Sequence, residues 1–139
     1  MTNDSLKYLL DTNVCIQYLN GRSLLVRERL HSLTTKDIAV CSVVKSELFY
    51  GSMRSNNPSK NLEQQKKFLN QFLSLPFDDN CAEVYGKIRA ELAKVGTPIG
   101  SNDLQIASIA LVNDLNLVTH NIGEFERIKG LKVEDWEES

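Results

Sequence analysis

The sequence predicts an α/β fold with a central, mostly parallel β-sheet flanked by α-helices. Two patterns carry this prediction. Short apolar runs, of the length of buried strands, alternate with longer segments of helical periodicity. Single acids stand beside those apolar segments, at Asp11, Glu47, Asp103 and Glu124. In sheets of this class the active site lies at the carboxyl ends of the strands.

Each element follows in order. Residues 6–10 form a short, mainly apolar run ending at Asp11 and read as a buried strand. Thr12-Asn13 then opens a helix carrying Val14, Ile16, Tyr18 and Leu19, closed by Asn20-Gly21. Leu24, Leu25, Leu30 and Leu33 carry a second helix, with Arg22, Arg27, Glu28 and Arg29 outside. Residues 38–41 make a second strand, and Ser42 is placed to cap a helix that runs through Tyr50 and stops at Gly51. Residues 56–59 read as a loop, 60–73 as a helix with Leu62, Phe68, Leu69 and Phe72 apolar, and 75–77 as extended. Asp78 or Asp79 caps a long helix bearing Ala82, Tyr85, Ile88, Leu92 and Val95, stopped by Gly96 and Pro98. Ser101 or Asn102 caps the helix over 103–113. A strand over 117–119, about one helical turn over 124–128 and a short strand over 131–133 complete the chain.

At 139 residues the chain fits one domain, 1–139, large enough to bury a core. Its 42% hydrophobic and 24% charged content is ordinary for a globular protein. No apolar stretch is long enough to span a bilayer. The polar stretch over residues 1–7 lacks the apolar centre of a signal peptide, so the cytoplasm is expected. Cys15, Cys41 and Cys81 are odd in number and widely spaced, which excludes a disulfide framework and a CxxC metal pattern. Their apolar neighbours mark them as small core residues.

The net charge of −2 is unevenly spread. Glu134, Asp135, Glu137 and Glu138 are four of the 18 acids, and the other 14 face 16 Lys and Arg. A modestly basic rim around an acidic pocket is compatible with an RNA partner.

Carboxylates gathered from distant segments repel one another, and a shared divalent cation is the usual way to hold them. Asp11-Thr12-Asn13 offers two readings: a metal ligand with Thr12 and Asn13 fixing the turn, or a helix cap. Glu47 either turns into the pocket or stands in solvent. In Ile99-Gly100-Ser101-Asn102-Asp103, Asp103 lies in the first helical turn, where the dipole favours an anion. Behind it Ile106, Ala107, Ala110 and Leu111 form a buried stripe. Thr119 and Asn121 offer oxygen to water or metal, and Glu124 is a candidate fourth acid. Strand alternation turns His120 away from Thr119 and Asn121, which weakens it as a general base. There is no GxxxxGK[ST] or GxGxxG loop for a nucleotide cofactor. Hard oxygen donors favour Mg²⁺ or Mn²⁺ over Zn²⁺.

Five motifs taken in order, Asp11-Thr12-Asn13, Ser46-Glu47-Leu48, the segments 99–104 and 117–121, and Glu124-Phe125-Glu126-Arg127-Ile128, resemble the PIN-domain ribonucleases. Within that family they are similar to the VapC toxins of bacterial VapBC toxin–antitoxin pairs, and so is the ending 130–136. The resemblance implies a single PIN domain and a pocket of acids holding Mg²⁺, with Mn²⁺ an alternative. Asp11, Glu47 and Asp103 carry over as the metal-binding acids. Some members have Asp where this chain has Asn121, so Glu124 is expected to take the fourth acidic role while Asn121 holds a water. Thr12, Asn13 and Thr119 would orient the shell around the metal.

The expected reaction is in-line attack of an activated water on an RNA phosphodiester, leaving 5′-phosphate and 3′-hydroxyl ends. The family's substrates are single-stranded or loop RNA, often tRNA. The ending is similar to a subgroup that cuts initiator tRNA in the anticodon loop. A VapB-type antitoxin is the expected partner, with operator DNA met only through it. Homodimerisation through the helix from Asp103 is implied as well. Tyr18, Leu48, Phe49, Met53, Phe68 and Phe72 either form the antitoxin groove or belong to the core. Two other classes compete. A non-catalytic PIN module would bind RNA or protein, but such members lose acids. A phosphate-accepting receiver domain would need an acidic pair and a late Lys, which Asp11 and Thr119-His120-Asn121 do not supply.

Overall fold

The computed structural model describes residues 5–138. Residues 1–4, the first part of the polar stretch expected to lack a leader, lie outside the described residues. Five strands form among the described residues: β1 (Tyr8–Leu10), β2 (Ile38–Cys41), β3 (Leu73–Leu75), β4 (Asn116–Val118) and β5 (Val133–Glu134). They pair in the order β3-β2-β1-β4-β5, and every pairing is parallel. Leu9 at the centre stands opposite Ala39 on one side and Leu117 on the other.

This order has a functional consequence. From β1 the chain builds outward through β2 and β3, then returns to place β4 on the other side of β1. The crevice at the carboxyl ends of β1 and β4 is therefore the switch point where such sheets bind ligands. The Asp11 N–H donates to the Val118 carbonyl at 2.9 Å and locks the two strand ends together.

Seven helices cover the sheet: α1 (Thr12–Asn20), α2 (Leu24–Ser32), α3 (Ser42–Met53), α4 (Pro58–Leu69), α5 (Asp79–Lys94), α6 (Ser101–Val112) and α7 (Ile122–Phe125). Gly21, at φ 70°, closes α1 in a left-handed conformation that glycine adopts without a Cβ clash. Leu9, Val14, Cys15, Ala39, Val40, Ile106, Ile109 and Leu117 are inaccessible to solvent. All three cysteines are free and buried, as expected of core residues. No helix among the described residues is long and apolar enough to cross a membrane.

Several boundaries depart from expectation, each for a local reason. Residues 58 and 59 belong to α4 and not to a loop, because the Asn57 side chain accepts from the Lys60 N–H and Pro58 sits in the first turn. That helix ends at Leu69 and not at Leu73. The extended stretch expected at 75–77 lies at Leu73–Leu75, since Pro76 has no N–H to give a ladder. Gly51 does not stop α3, which continues to Met53, and Ser42 is its first residue with Cys41 at the cap position. Gly100, and neither Ser101 nor Asn102, caps α6. The helical turn falls at Ile122–Phe125, two residues before its expected start, and the last strand at Val133–Glu134.

Candidate active site

Four of the acids singled out above come from the elements around the switch point. Asp11 follows β1, Glu47 lies in the second turn of α3, Asp103 in the first turn of α6, and Glu124 in α7. A pocket of about 170 Å³ is lined by Asp11, Thr12, Asn13, Glu47, Asp103 and Asn121.

Asp11 is the helix cap of its motif, and its second oxygen is held as well. One carboxylate oxygen accepts from the Thr12 N–H at 2.8 Å and caps α1. The other accepts from the Thr119 hydroxyl at 2.8 Å. Thr119 Oγ1 in turn accepts from the Asn121 N–H at 3.0 Å, so a relay from the β4 end fixes the Asp11 rotamer. Burial raises the Asp11 carboxyl above the usual range against the pull of these two hydrogen bonds, and the carboxylates of Glu47 and Glu124 add to the rise.

Glu47 turns into the pocket and is not a free surface carboxylate. The Thr12 hydroxyl donates to its Oε1 at 2.6 Å, and the Asn102 amide lies 3.4 Å from Oε2. Asp103 is pushed up to about 7, first by burial and then by the adjacent Glu124, with Asp11 and Glu47 contributing. The Asn121 amide donates to Glu124 Oε2 at 2.9 Å. The other Glu124 oxygen, Oε1, is buried with no hydrogen-bond partner. The short α7 holds this acid in place because Phe125 is fully buried and Ile128 nearly so.

Asn13 lines the pocket, while His120 points instead to the C-terminal tail, where it meets Asp135. Asn102 was legible only as a cap candidate; its place beside Asp103 is the one sequence signal of its contact with Glu47. The groove candidates divide. Leu48 and Phe68 are core, whereas Tyr18, Phe49 and Phe72 are half-buried and Met53 is exposed. Tyr18, Phe68 and Phe72 line one apolar cleft of about 230 Å³ with Leu30, His31 and Leu33.

The PIN-domain family profile matches residues 8–131. This chain belongs to the PIN-domain family. Within the family it falls in the VapC branch of nucleases. It is 41% identical over 131 residues to the tRNA(fMet)-specific endonuclease VapC of Salmonella typhimurium, an alignment covering 94% of this chain and 98% of that one. Ribonuclease VapC2 of Haemophilus influenzae is 38% identical, with the same coverage. The DNA-bound VapBC structure from Salmonella typhimurium superposes with a TM-score of 0.89 at 41% identity, covering 94% of this chain and 98% of the matched chain. The all-parallel sheet meets the fold expectation drawn from the five motifs.

Proposed function

We propose that this VapC-type chain is an Mg²⁺-dependent endoribonuclease toxin that hydrolyses phosphodiester bonds in tRNA, the anticodon loop of initiator tRNA being the first candidate. One observation carries the metal part of this reading. Four carboxylates converge, one Glu124 oxygen is buried without a partner, and no Lys or Arg among the described residues forms an ion pair with any of the four. A site short of positive charge, built from oxygen donors, fits a hard divalent cation.

Asp11, Asp103 and Glu47 would hold the cation, with Glu124 as the fourth acid. A divalent cation bound there supplies charge neutralisation at a phosphate and a lowered pKa for water. The chain's own residues do the positioning. Thr119 and the Thr12 N–H fix Asp11, the Thr12 hydroxyl and Asn102 fix Glu47, and Asn121 fixes Glu124. Such fixed orientation spares reorganisation during reaction. Without a cation, the Asp103 carboxyl holds a proton to near neutrality.

The partners follow from the same branch. A VapB-type antitoxin is proposed to cover the cleft of Tyr18, Phe68 and Phe72 and to place a cation in the acidic pocket, with operator DNA reached through it. A homodimer through α6 and its neighbours is also proposed. In α6, Leu104 and residues 106–110 are consumed by the core, leaving Gln105, Leu111 and Val112 half-exposed to a second copy. A monomer in sedimentation at micromolar concentration would count against that dimer.

The test is cleavage of total tRNA by the purified, antitoxin-free chain with Mg²⁺, beside Asp11→Ala and EDTA controls, with cut sites and ends sequenced. A discrete cut by the wild type alone, bearing 5′-phosphate and 3′-hydroxyl ends, is expected. A 2′,3′-cyclic phosphate would refute attack by water. No cut in tRNA or in a wider RNA panel, by protein shown to bind metal, would overturn the enzyme and favour a non-catalytic binding module.

A further inference from the structure

Away from the acidic pocket, His120, Asp135 and Glu137 form a group among the described residues whose ligand atoms lie close enough together for a metal ion. His120 leaves the end of β4 and faces the tail beyond β5. Its Nδ1 lies 2.9 Å from Asp135 Oδ2 and 3.8 Å from Glu137 Oε2. One ligand atom from each of the three residues falls within 4.8 Å of the others. The imidazole is 54% exposed, but the two carboxylates are only 14% and 20% exposed, so they are turned inward toward the ring.

The tail is fixed in place. Trp136, between the two acids, is buried with its ring 5.2 Å from that of Tyr8. The second Asp135 oxygen accepts from the Glu137 N–H at 2.9 Å. Arg29 lies in the same region, but its ion pair is with Glu134. Among the described residues, no Lys or Arg pairs with Asp135 or Glu137. Two carboxylates therefore face a single imidazole, and even the protonated ring leaves the group one positive charge short.

We propose that His120, Asp135 and Glu137 form a second metal site, selective for a borderline transition ion of the Zn²⁺ or Ni²⁺ class, that ties the corner after β4 to the C-terminal tail. The donor set separates it from the active site. An imidazole nitrogen with carboxylate oxygens suits Zn²⁺ and Ni²⁺, whereas the four acids suit Mg²⁺. The two sites share no residue. A metal at Nδ1 displaces that nitrogen's proton, so binding weakens as the ring protonates at acid pH. The site's chemistry is independent of whether the acidic pocket cuts RNA.

The chain carries a built-in reporter, since its sole tryptophan, Trp136, lies between two of the three ligands. The experiment is a Ni²⁺ titration of the whole chain in excess Mg²⁺, read as quenching of Trp136 fluorescence. Wild type is expected to quench saturably at one equivalent. Loss of an outer-shell partner already costs about 10–100-fold in metal affinity, so His120→Asn and Asp135→Asn should each weaken the quench by at least about tenfold. His31→Asn, which alters the only other histidine, and Asp103→Asn should leave it unchanged. Emission without metal checks that each variant keeps the tail in place. The proposal is overturned if the His120 and Asp135 variants both quench like wild type, or if the quench is lost in Asp103→Asn and so reports the acidic pocket.

Discussion

Asp103→Asn should stabilise the cation-free protein while abolishing its proposed activity. Moving a carboxyl from 3.8 to about 7 sets roughly 4 kcal/mol against its ionised form. Asp103 is only half-buried, and solvent screening reduces this to about 2 kcal/mol. Because the folded value is raised, the wild type has its full stability below about pH 4 and loses it as pH climbs through about 7. Asn cannot ionise, so the variant escapes that loss. In EDTA at pH 8 its urea unfolding free energy should exceed that of wild type by about 2 kcal/mol, an increase of roughly 6 °C in Tm. The difference should shrink steadily toward pH 5. Mg²⁺ at pH 8 should raise the Tm of wild type and do much less for the variant, which has lost a donor. If Asp103→Asn is destabilised in EDTA at pH 8, or gains as much from Mg²⁺ as wild type, the account of repelling carboxylates held for a cation is wrong.

Further outcomes follow from neighbouring residues. Thr119→Val strips Asp11 Oδ2 and the Asn121 N–H of a partner; a loss of about 1–3 kcal/mol and slower cleavage are expected, measured by urea unfolding and a tRNA time course. Phe125→Ala empties the fully buried anchor beside Glu124, so a cost of about 3–5 kcal/mol should come with a loss of cleavage at temperatures where the fold persists. Cys15 and Cys41 are sealed in the core, and burial pushes the Cys41 thiol up to about 11 and Cys15 further in the same direction. A disulfide reagent at pH 8 should therefore leave both unmodified until denaturant is added, and prompt labelling would show that the core opens.

What could be read from the sequence, and what could not, divides along a physical line. Strands were legible because residues 38–41 are apolar through their length and the runs before Asp11 and Thr119 are mainly so, as a sheet covered on both faces requires. The four acids were legible because each breaks or borders an apolar segment, a costly placement unless something offsets it. Helix ends were less so: Asn57-Pro58 looks like a loop until the Asn57 side chain is seen to cap the following turn. The wiring was hidden for a different reason. Thr119 reaches Asp11 across 108 residues of sequence, and this contact exists only because β4 docks beside β1 and not beside β3. Asn102 on Glu47 and His120 on Asp135 depend on topology in the same way. Local patterning identifies which residues are expensive to bury, and strand order decides which of them meet. In this chain the order reverses at β1, so the acids that are expensive one by one become neighbours, and their shared repulsion is what a cation would relieve.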